Sequence, residues 1–422
     1  MKPIMKSING WLLFLLFITL GSARAQDMPD PLDEYLKVGA ENNPELKAVF
    51  NQYLAVLERM PQARALPDPT VMFNIFVSPV ETRVGAQRAG ISINQVFPWY
   101  GQLKSQENAV AQLAKARFEV FEDTKNKLFF NIRAVYYDLY VLEAAIAITE
   151  ENIRILESFR QLANVKLEAA KGSAVDLLRV EMDIDEMENQ LLYLDDSRLP
   201  IQAQFNELLN TATPMDIVTP DTLETIPLIQ GKSALLDSIV AQNPLLKRLD
   251  YKLSSLDFEI DVAQKMGLPS FNLGLAYTNV SARTGIDIPD NGKDAFIFPQ
   301  VGVRIPLNRK KYRSMVKEKE ILKTSVAYEK ENKENELQTA LEDTWRDYSD
   351  AVRRVKLYQQ LIVYANQSLD ILVAQYTTAS SDFEEMLRME RQLLRYQLEL
   401  EKARADQNTF VANINYLTGK QF

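Results

Sequence analysis

The chain has 422 residues, 48 basic and 57 acidic side chains, a formal charge of −9, and neither histidine nor cysteine. That acidic balance argues against nucleic acid as a partner. The missing histidine withdraws the commonest general base and metal ligand, and the missing cysteine removes disulfides and any lipid-modified cysteine, so neither enzyme activity nor a cofactor or metal is expected.

The N-terminus carries Lys2 and Lys6, then the apolar run Trp11 to Leu20, then the small-residue site Ala23-Arg24-Ala25. Ten apolar residues are too few to span a bilayer, which needs about twenty, so residues 1–25 read as a signal peptide cleaved after Ala25. Removing its three cations from a total of −9 leaves the mature part at −12. An exported chain with no other long apolar run ends either as a soluble protein or as a membrane β-barrel.

From residue 26 the chain states one pattern twice. The first copy, 26–210, opens with a short helix, continues with alternating segments at 70–77 and 90–97, and closes with a helical hairpin at 101–210. A linker follows at 211–231 with Pro214, Pro220 and Pro227. The second copy, 232–422, repeats the short helix, alternating segments at 270–277 and 296–305, and a helical hairpin at 307–418.

Asn42-Asn43-Pro44 returns as Gln242-Asn243-Pro244, Asp138 returns as Asp347, and Leu178-Arg179-Val180-Glu181 returns as Leu387-Arg388-Met389-Glu390. The last two matches share an offset of 209, so the hairpins have equal lengths, as helices standing side by side in a ring require.

Within each alternating segment one parity is apolar and the other small or polar. Val71, Phe73, Ile75 and Val77 make one such row, and Phe271, Leu273, Leu275 and Tyr277 another. That pattern fits a membrane strand between lipid and lumen, and equally a half-buried hairpin. Four strands per chain cannot close a barrel, and an open edge in lipid leaves unpaired backbone groups, so several chains must share one barrel. The connections from Ser78 to Ala89 and from Thr278 to Ala295 are then expected as outer loops.

Neither Gly nor Pro occurs from Gln102 to Lys171 or from Leu307 to Thr418. Leu139, Leu142, Ile146, Ile153 and Leu156 in the first copy, and Tyr358, Leu361, Ala365 and Leu372 in the second, recur at helical spacing. Coiled-coil-like packing of very long helices is expected. The first helix should break at Lys171-Gly172-Ser173 with Ser173 as N-cap, and Pro200 should kink the returning helix. The second should break within Thr377 to Asp382, the alternative being one continuous helix.

Signal peptide, duplicated strand pair plus long hairpin, and tips at Gly172 and Ser380 together resemble the TolC family of outer-membrane efflux ducts over essentially the whole mature chain. The resemblance implies a mainly α protein with a membrane β-barrel. It implies a homotrimer in the outer membrane, with a twelve-stranded barrel seated in lipid and a periplasmic tunnel of helices. It also implies two partners, a periplasmic adaptor (membrane fusion protein) and an inner-membrane transporter. On the family's pattern the adaptor-contact tips fall at Ala170, Lys171, Gly172 and Ser173 and at Ala379, Ser380, Ser381 and Asp382. Alanines 170 and 379 stand where the family shows glycine, with Gly172 expected to supply the turn.

For the periplasmic gate, Glu385 aligns with an acidic ring, and Asp176 and Tyr376 align with residues that link neighbouring hairpins. Arg388 stands in place of a second acid and Ser381 in place of a linking arginine. The function implied is passive conduction of small molecules or ions. A polypeptide secretion duct would look the same, and a soluble periplasmic coiled-coil scaffold is the alternative of another class. Paired acids such as Asp195-Asp196 and Asp185-Glu186 read as solvated helix faces.

Overall fold

The computed structural model describes residues 31–213, 215, 217–285, 287–378 and 383–420. The expected signal peptide and the tip residues Ala379, Ser380, Ser381 and Asp382 lie outside the described residues. Three helices, α1 (Pro31–Asn42), α2 (Pro44–Leu57) and α3 (Arg59–Arg64), lead into β1 (Thr70–Thr82) and β2 (Gly85–Phe97). The long hairpin α4 (Gln102–Glu168) and α5 (Ala174–Leu209) follows. The second copy gives α6 (Lys232–Gln242), α7 (Pro244–Met266), β3 (Ser270–Ser281), β4 (Ala295–Arg304), α8 (Arg309–Thr378) and α9 (Phe383–Thr418).

The four strands form one antiparallel sheet in the order β1-β2-β3-β4, open at both edges. Its register sorts the side chains. Phe73 pairs with Ile91, Ile91 with Tyr277 and Tyr277 with Phe296, an apolar row crossing all four strands. A row of the other parity runs Thr70, Asn94, Gly274, Gln300. Directly paired residues share a face, so one face of the sheet is apolar and the other small and polar. The apolar face is bare: Ile75 is 81% exposed and Val77 95%. At Gly274 a Cβ would stand 2.2 Å from Asn94 Oδ1, which fixes glycine on the crowded polar face.

The strands reach further than the alternation indicates. The expected connection from Ser78 to Ala89 is strand on both sides of a turn at Arg83-Val84. The cause is a break in register between Ile75 and Val80, which lets Pro79 sit in an edge strand and interrupts the period-two pattern there. Likewise β3 continues to Ser281 and leaves a connection of residues 282–294, which folds back so that the Gly292 N–H donates to the Val84 carbonyl at 2.7 Å.

The 67 residues of α4 and 70 of α8 each span about 100 Å at 1.5 Å per residue. Helix α4 packs against α2, α5, α7 and α9, whereas α8 packs against α7 and α9. The first copy thus sets its outgoing helix in the middle of the molecule, and the second copy its returning one. Of the expected stripes, Leu139, Leu142, Ile146, Leu156 and Ala365 are buried, and Tyr358 and Leu372 pack against core clusters, while Leu357, Tyr364 and Ile371, each one residue before a stripe position of α8, stay more than half exposed. No described helix is long and apolar enough to cross a membrane.

The repeated Asn-Pro motif has one role in both copies. The Asn43 Oδ1 accepts from the Leu46 N–H at 3.1 Å while its Nδ2 donates to the Leu208 carbonyl at 3.2 Å. The Asn243 Oδ1 accepts from the Leu245 N–H at 2.9 Å and its Nδ2 donates to the Leu417 carbonyl at 2.8 Å. Each asparagine caps the helix that begins at the following proline and ties it to the end of the returning helix. The segment between the copies forms no regular element in its described residues. It is pinned by side chains: the Leu223 N–H donates to the Tyr140 hydroxyl, the Leu228 N–H to the Tyr348 hydroxyl, and the Ile226 N–H to Asn408 Oδ1.

Candidate gate at the hairpin tips

Helix α4 ends in a Schellman turn. The Ala170 N–H donates to the Leu167 carbonyl at 2.9 Å and the Lys171 N–H to the Lys166 carbonyl at 2.8 Å. Ala170 itself takes the left-handed conformation, φ 57°. The expectation that Gly172 makes the turn is therefore corrected. Gly172 serves close approach instead, since a Cβ there would lie 2.8 Å from Lys166 Cβ and 3.1 Å from the Leu167 nitrogen. Ser173 caps α5, its Oγ accepting from the Val175 N–H at 3.1 Å. Helix α8 stops at Thr378 and α9 starts at Phe383.

Behind the two tips lies one apolar cluster drawn from both hairpins, with Leu156, Phe159, Val180 and Ile184 of the first and Tyr376, Phe383, Met386 and Leu387 of the second. Tyr376 is 5% exposed, with its ring 5.1 Å from that of Phe383. Its hydroxyl is buried without a hydrogen-bond partner, and burial, followed by the nearby Asp176 charge, raises its pKa. Asp176 and Tyr376 thus come close across the hairpins through electrostatics and without a hydrogen bond. Asp176 also faces Arg179 at 3.9 Å. Glu385 and Arg388 pair with each other on one face of α9.

Contacts that sequence reading missed complete the junction. Arg179 on α5 reaches Glu384 on α9 at 3.3 Å, Glu384 reaches Arg391 at 3.2 Å, and Arg391 returns to Asp183 on α5 at 3.1 Å. Burial raises the Asp183 pKa and the Arg391 charge opposes it. Lys166 at the end of α4 donates to the Thr377 carbonyl at 3.2 Å and sits 5.1 Å above the Tyr376 ring. A cation there meets the negative end of two helices at once. Arg179 and Asp183 stand at i,i+4 on α5 yet pair with α9 instead of with each other, and the sequence carries no signal for that.

One turn deeper, Glu390 is 1% exposed. The Asn152 Nδ2 donates to its Oε1 at 2.8 Å, its Oε2 has no partner, and burial pushes its pKa up to about 7. Among the described residues no acidic cluster suited to a metal occurs. The chemistry of the junction is that of a seam: two hairpins joined by an apolar plug, an ion-pair ladder and one buried acid.

A sheet bare on its apolar face, continued by helical hairpins about 100 Å long, is the architecture of solved outer-membrane channels. The fold is that of the TolC-family outer-membrane channels, and sequence relatives include outer membrane efflux proteins. No family model matches the sequence. The outer membrane efflux protein BepC of Brucella suis is 21% identical over 325 residues, 75% of this chain and 68% of BepC. The probable efflux pump outer membrane protein TtgC of Pseudomonas putida is 21% identical over 209 residues, 49% of this chain and 43% of TtgC. Among solved structures, CusC matches with a TM-score of 0.77 at 15% identity over 93% of this chain and 92% of CusC. VceC of Vibrio cholerae matches with 0.73 at 15% identity over 93% of this chain and 96% of VceC.

Proposed function

We propose that this chain is the outer-membrane exit duct of a tripartite efflux system, passing small molecules or ions outward without chemistry. The observation that carries the reading is the bare apolar row Phe73, Ile91, Tyr277, Phe296, continuous across a sheet whose two edge strands are unpaired. Lipid satisfies the face and copies of the same chain satisfy the edges. A soluble scaffold would leave Ile75 and Val77 in water.

Three copies give twelve strands, enough for one barrel, and the exposed apolar residues of α5 and α8, such as Tyr193, Leu199 and Tyr364, then become contacts between copies. Export by the N-terminal segment is part of the reading. So is docking of a periplasmic adaptor on the tips, where Val165 and Val175 flank the turn at 61% and 53% exposure. The adaptor would link the duct to an inner-membrane transporter. The mass of the detergent-extracted protein from fractionated envelopes tests the assembly: a trimer confined to the outer membrane supports it, and a soluble monomer or dimer overturns it.

Glu385 is the proposed constriction. Threefold symmetry would bring three Glu385-Arg388 pairs together, and the arginines lower the cation preference of the ring. In planar bilayers Glu385→Gln should reduce cation selectivity and Arg388→Gln should increase it. Unchanged selectivity in both removes the assignment. Replacing Asp176 and Tyr376 together should raise resting conductance, because the link between hairpins is weakened; no gain would exclude them as the closing contacts.

A further inference from the structure

The start of α8 is the most basic stretch of an acidic chain. Arg309, Lys310, Lys311, Arg313, Lys317 and Lys319 fall within eleven residues beside a single acid, Glu318, whereas the matching start of α4 carries Lys104 and Glu107 alone over Gln102 to Gln112. Cations in the first turn of a helix oppose its dipole, and α8 has no acid there to offset them, so they do not serve helix stability. Arg309 and Arg313 are exposed and form no ion pair among the described residues.

Their position explains what they face. Arg309 and Arg313, one turn apart, line a groove of about 690 Å³ between the end of α7 and the start of α8, with Gly267 and Tyr312 in its wall and the Lys317-Glu320 pair, 3.3 Å apart, at its far end. Lys311 lies about 200° round the helix from each arginine. It lines a separate cleft with Val96, Ser270 and Arg304, which the strand register places on the polar face of the sheet. The arginine groove shares Leu268 and Tyr312 with that cleft but lies round the helix from Lys311, on the side away from the polar face. Three residues beyond Leu268 of the groove wall, Phe271 pairs with Val303, both about half exposed at the foot of the apolar face. In the first copy Tyr100, three residues beyond the end of β2, is 93% exposed. An exposed amphipathic aromatic and a basic groove, both at the helical ends of the strands, are the arrangement of a membrane–water boundary.

We propose that this groove holds the phosphate headgroup of an anionic phospholipid from the leaflet on the helical side, gripped by Arg309 and Arg313, with its chains lying on Phe271 and Val303. The planar guanidinium forks suit phosphate oxygens, and the volume suits a headgroup. The site fastens the duct in depth and rotation at the point where barrel meets tunnel. This inference rests on the outer-membrane reading.

The test is binding of phosphatidylglycerol to the purified trimer in detergent, read by native mass spectrometry and by the lipid-induced rise in Tm. Phosphatidylethanolamine and inorganic phosphate form the comparison arms. Each near-surface cation contributes about 1 kcal/mol to anionic lipid, so Arg309→Gln/Arg313→Gln should weaken phosphatidylglycerol binding roughly thirtyfold and erase the Tm rise. Lys104→Gln, at the matching place in the first copy, should leave both intact. Equal binding by the double variant overturns the proposal. So does an equal effect of inorganic phosphate or of phosphatidylethanolamine, which would mark a free-anion site or a nonspecific lipid effect. The outer-membrane reading fails separately, by fractionation and mass, before any lipid is added.

Discussion

Glu181 and Glu390 occupy the same place in the two copies, yet one is exposed and the other is sealed 1% from solvent beneath the tip. The difference follows from which helix of each hairpin takes the middle of the molecule. In the first copy the returning helix α5 is at the edge, so Glu181 faces outward. In the second the returning helix α9 is packed between α4 and α8, so Glu390 meets Asn152 of the first copy. Asn43 and Asn243, by contrast, make matching contacts, because a cap depends on its own helix end. Equivalent positions in a duplicated chain share local structure and need not share surroundings.

The sharpest way to break this comparison is to remove both acids in turn and follow pH. Burial raises the Glu390 pKa from 4.5 to about 7, so the folded protein holds a proton there that the unfolded chain releases near 4.5. The stabilisation is present in full below the unfolded pKa, declines as pH rises, and is gone above about 7. A shift of that size corresponds to about 3 kcal/mol. Thermal unfolding of the detergent-extracted protein should therefore show Glu390→Gln more stable than the parent by up to about 3 kcal/mol near pH 8, the two converging below the unfolded pKa of 4.5. Glu181→Gln should track the parent throughout. Parallel pH profiles for parent and Glu390→Gln would mean that the seam tolerates the charge and that the two acids do not differ.

The asparagines sharpen the other side of the comparison, where the copies agree. Asn243→Ala removes an N-cap and strands the buried Leu417 carbonyl, a loss of about 2 kcal/mol. Asn43→Ala loses the same pair of bonds at a site less enclosed, 8% exposed against 2%, and should cost about 1 kcal/mol. Denaturation midpoints of the two variants should fall in that order. A negligible effect at either site would show that the repeated motif is ancestral residue in that copy and no longer a tie.

Much of this was legible beforehand because it is local. The Gly/Pro-free runs announced α4 and α8, Ser173 announced its own cap, and period-two alternation placed both strand pairs and their faces. What escaped was set by tertiary position. Pro79 concealed five further residues of β1 behind a break in register, since alternation cannot be read through a bulge. The residues proposed for the gate from the family pattern lie near the hairpin tips, and Glu385 does meet Arg388, but the Arg179-Glu384-Arg391-Asp183 ladder depends on how α5 and α9 are juxtaposed. No spacing within one helix encodes that. Glu390 was hidden for a related reason: its repeat partner Glu181 reads, correctly, as a solvated acid.

The smallest effect probes the tip turn. Ala170 is held at φ 57°, a conformation that places its Cβ against the following carbonyl and costs a non-glycine residue about 1 kcal/mol. Both Schellman hydrogen bonds are backbone bonds and survive the change, and Ala170 is exposed, so no packing is lost. Ala170→Gly should consequently stabilise the first hairpin tip by somewhat under 1 kcal/mol once the greater freedom of glycine in the unfolded chain is subtracted. Gly172→Ala should do the reverse, because its Cβ would press on Lys166 and the Leu167 nitrogen. Amide exchange at Ala170 and Lys171 reads the local opening directly: slower in Ala170→Gly, faster in Gly172→Ala. If both variants exchanged as the parent does, neither the left-handed residue nor the close approach would govern this tip, and its strain could not be part of how the hairpins move.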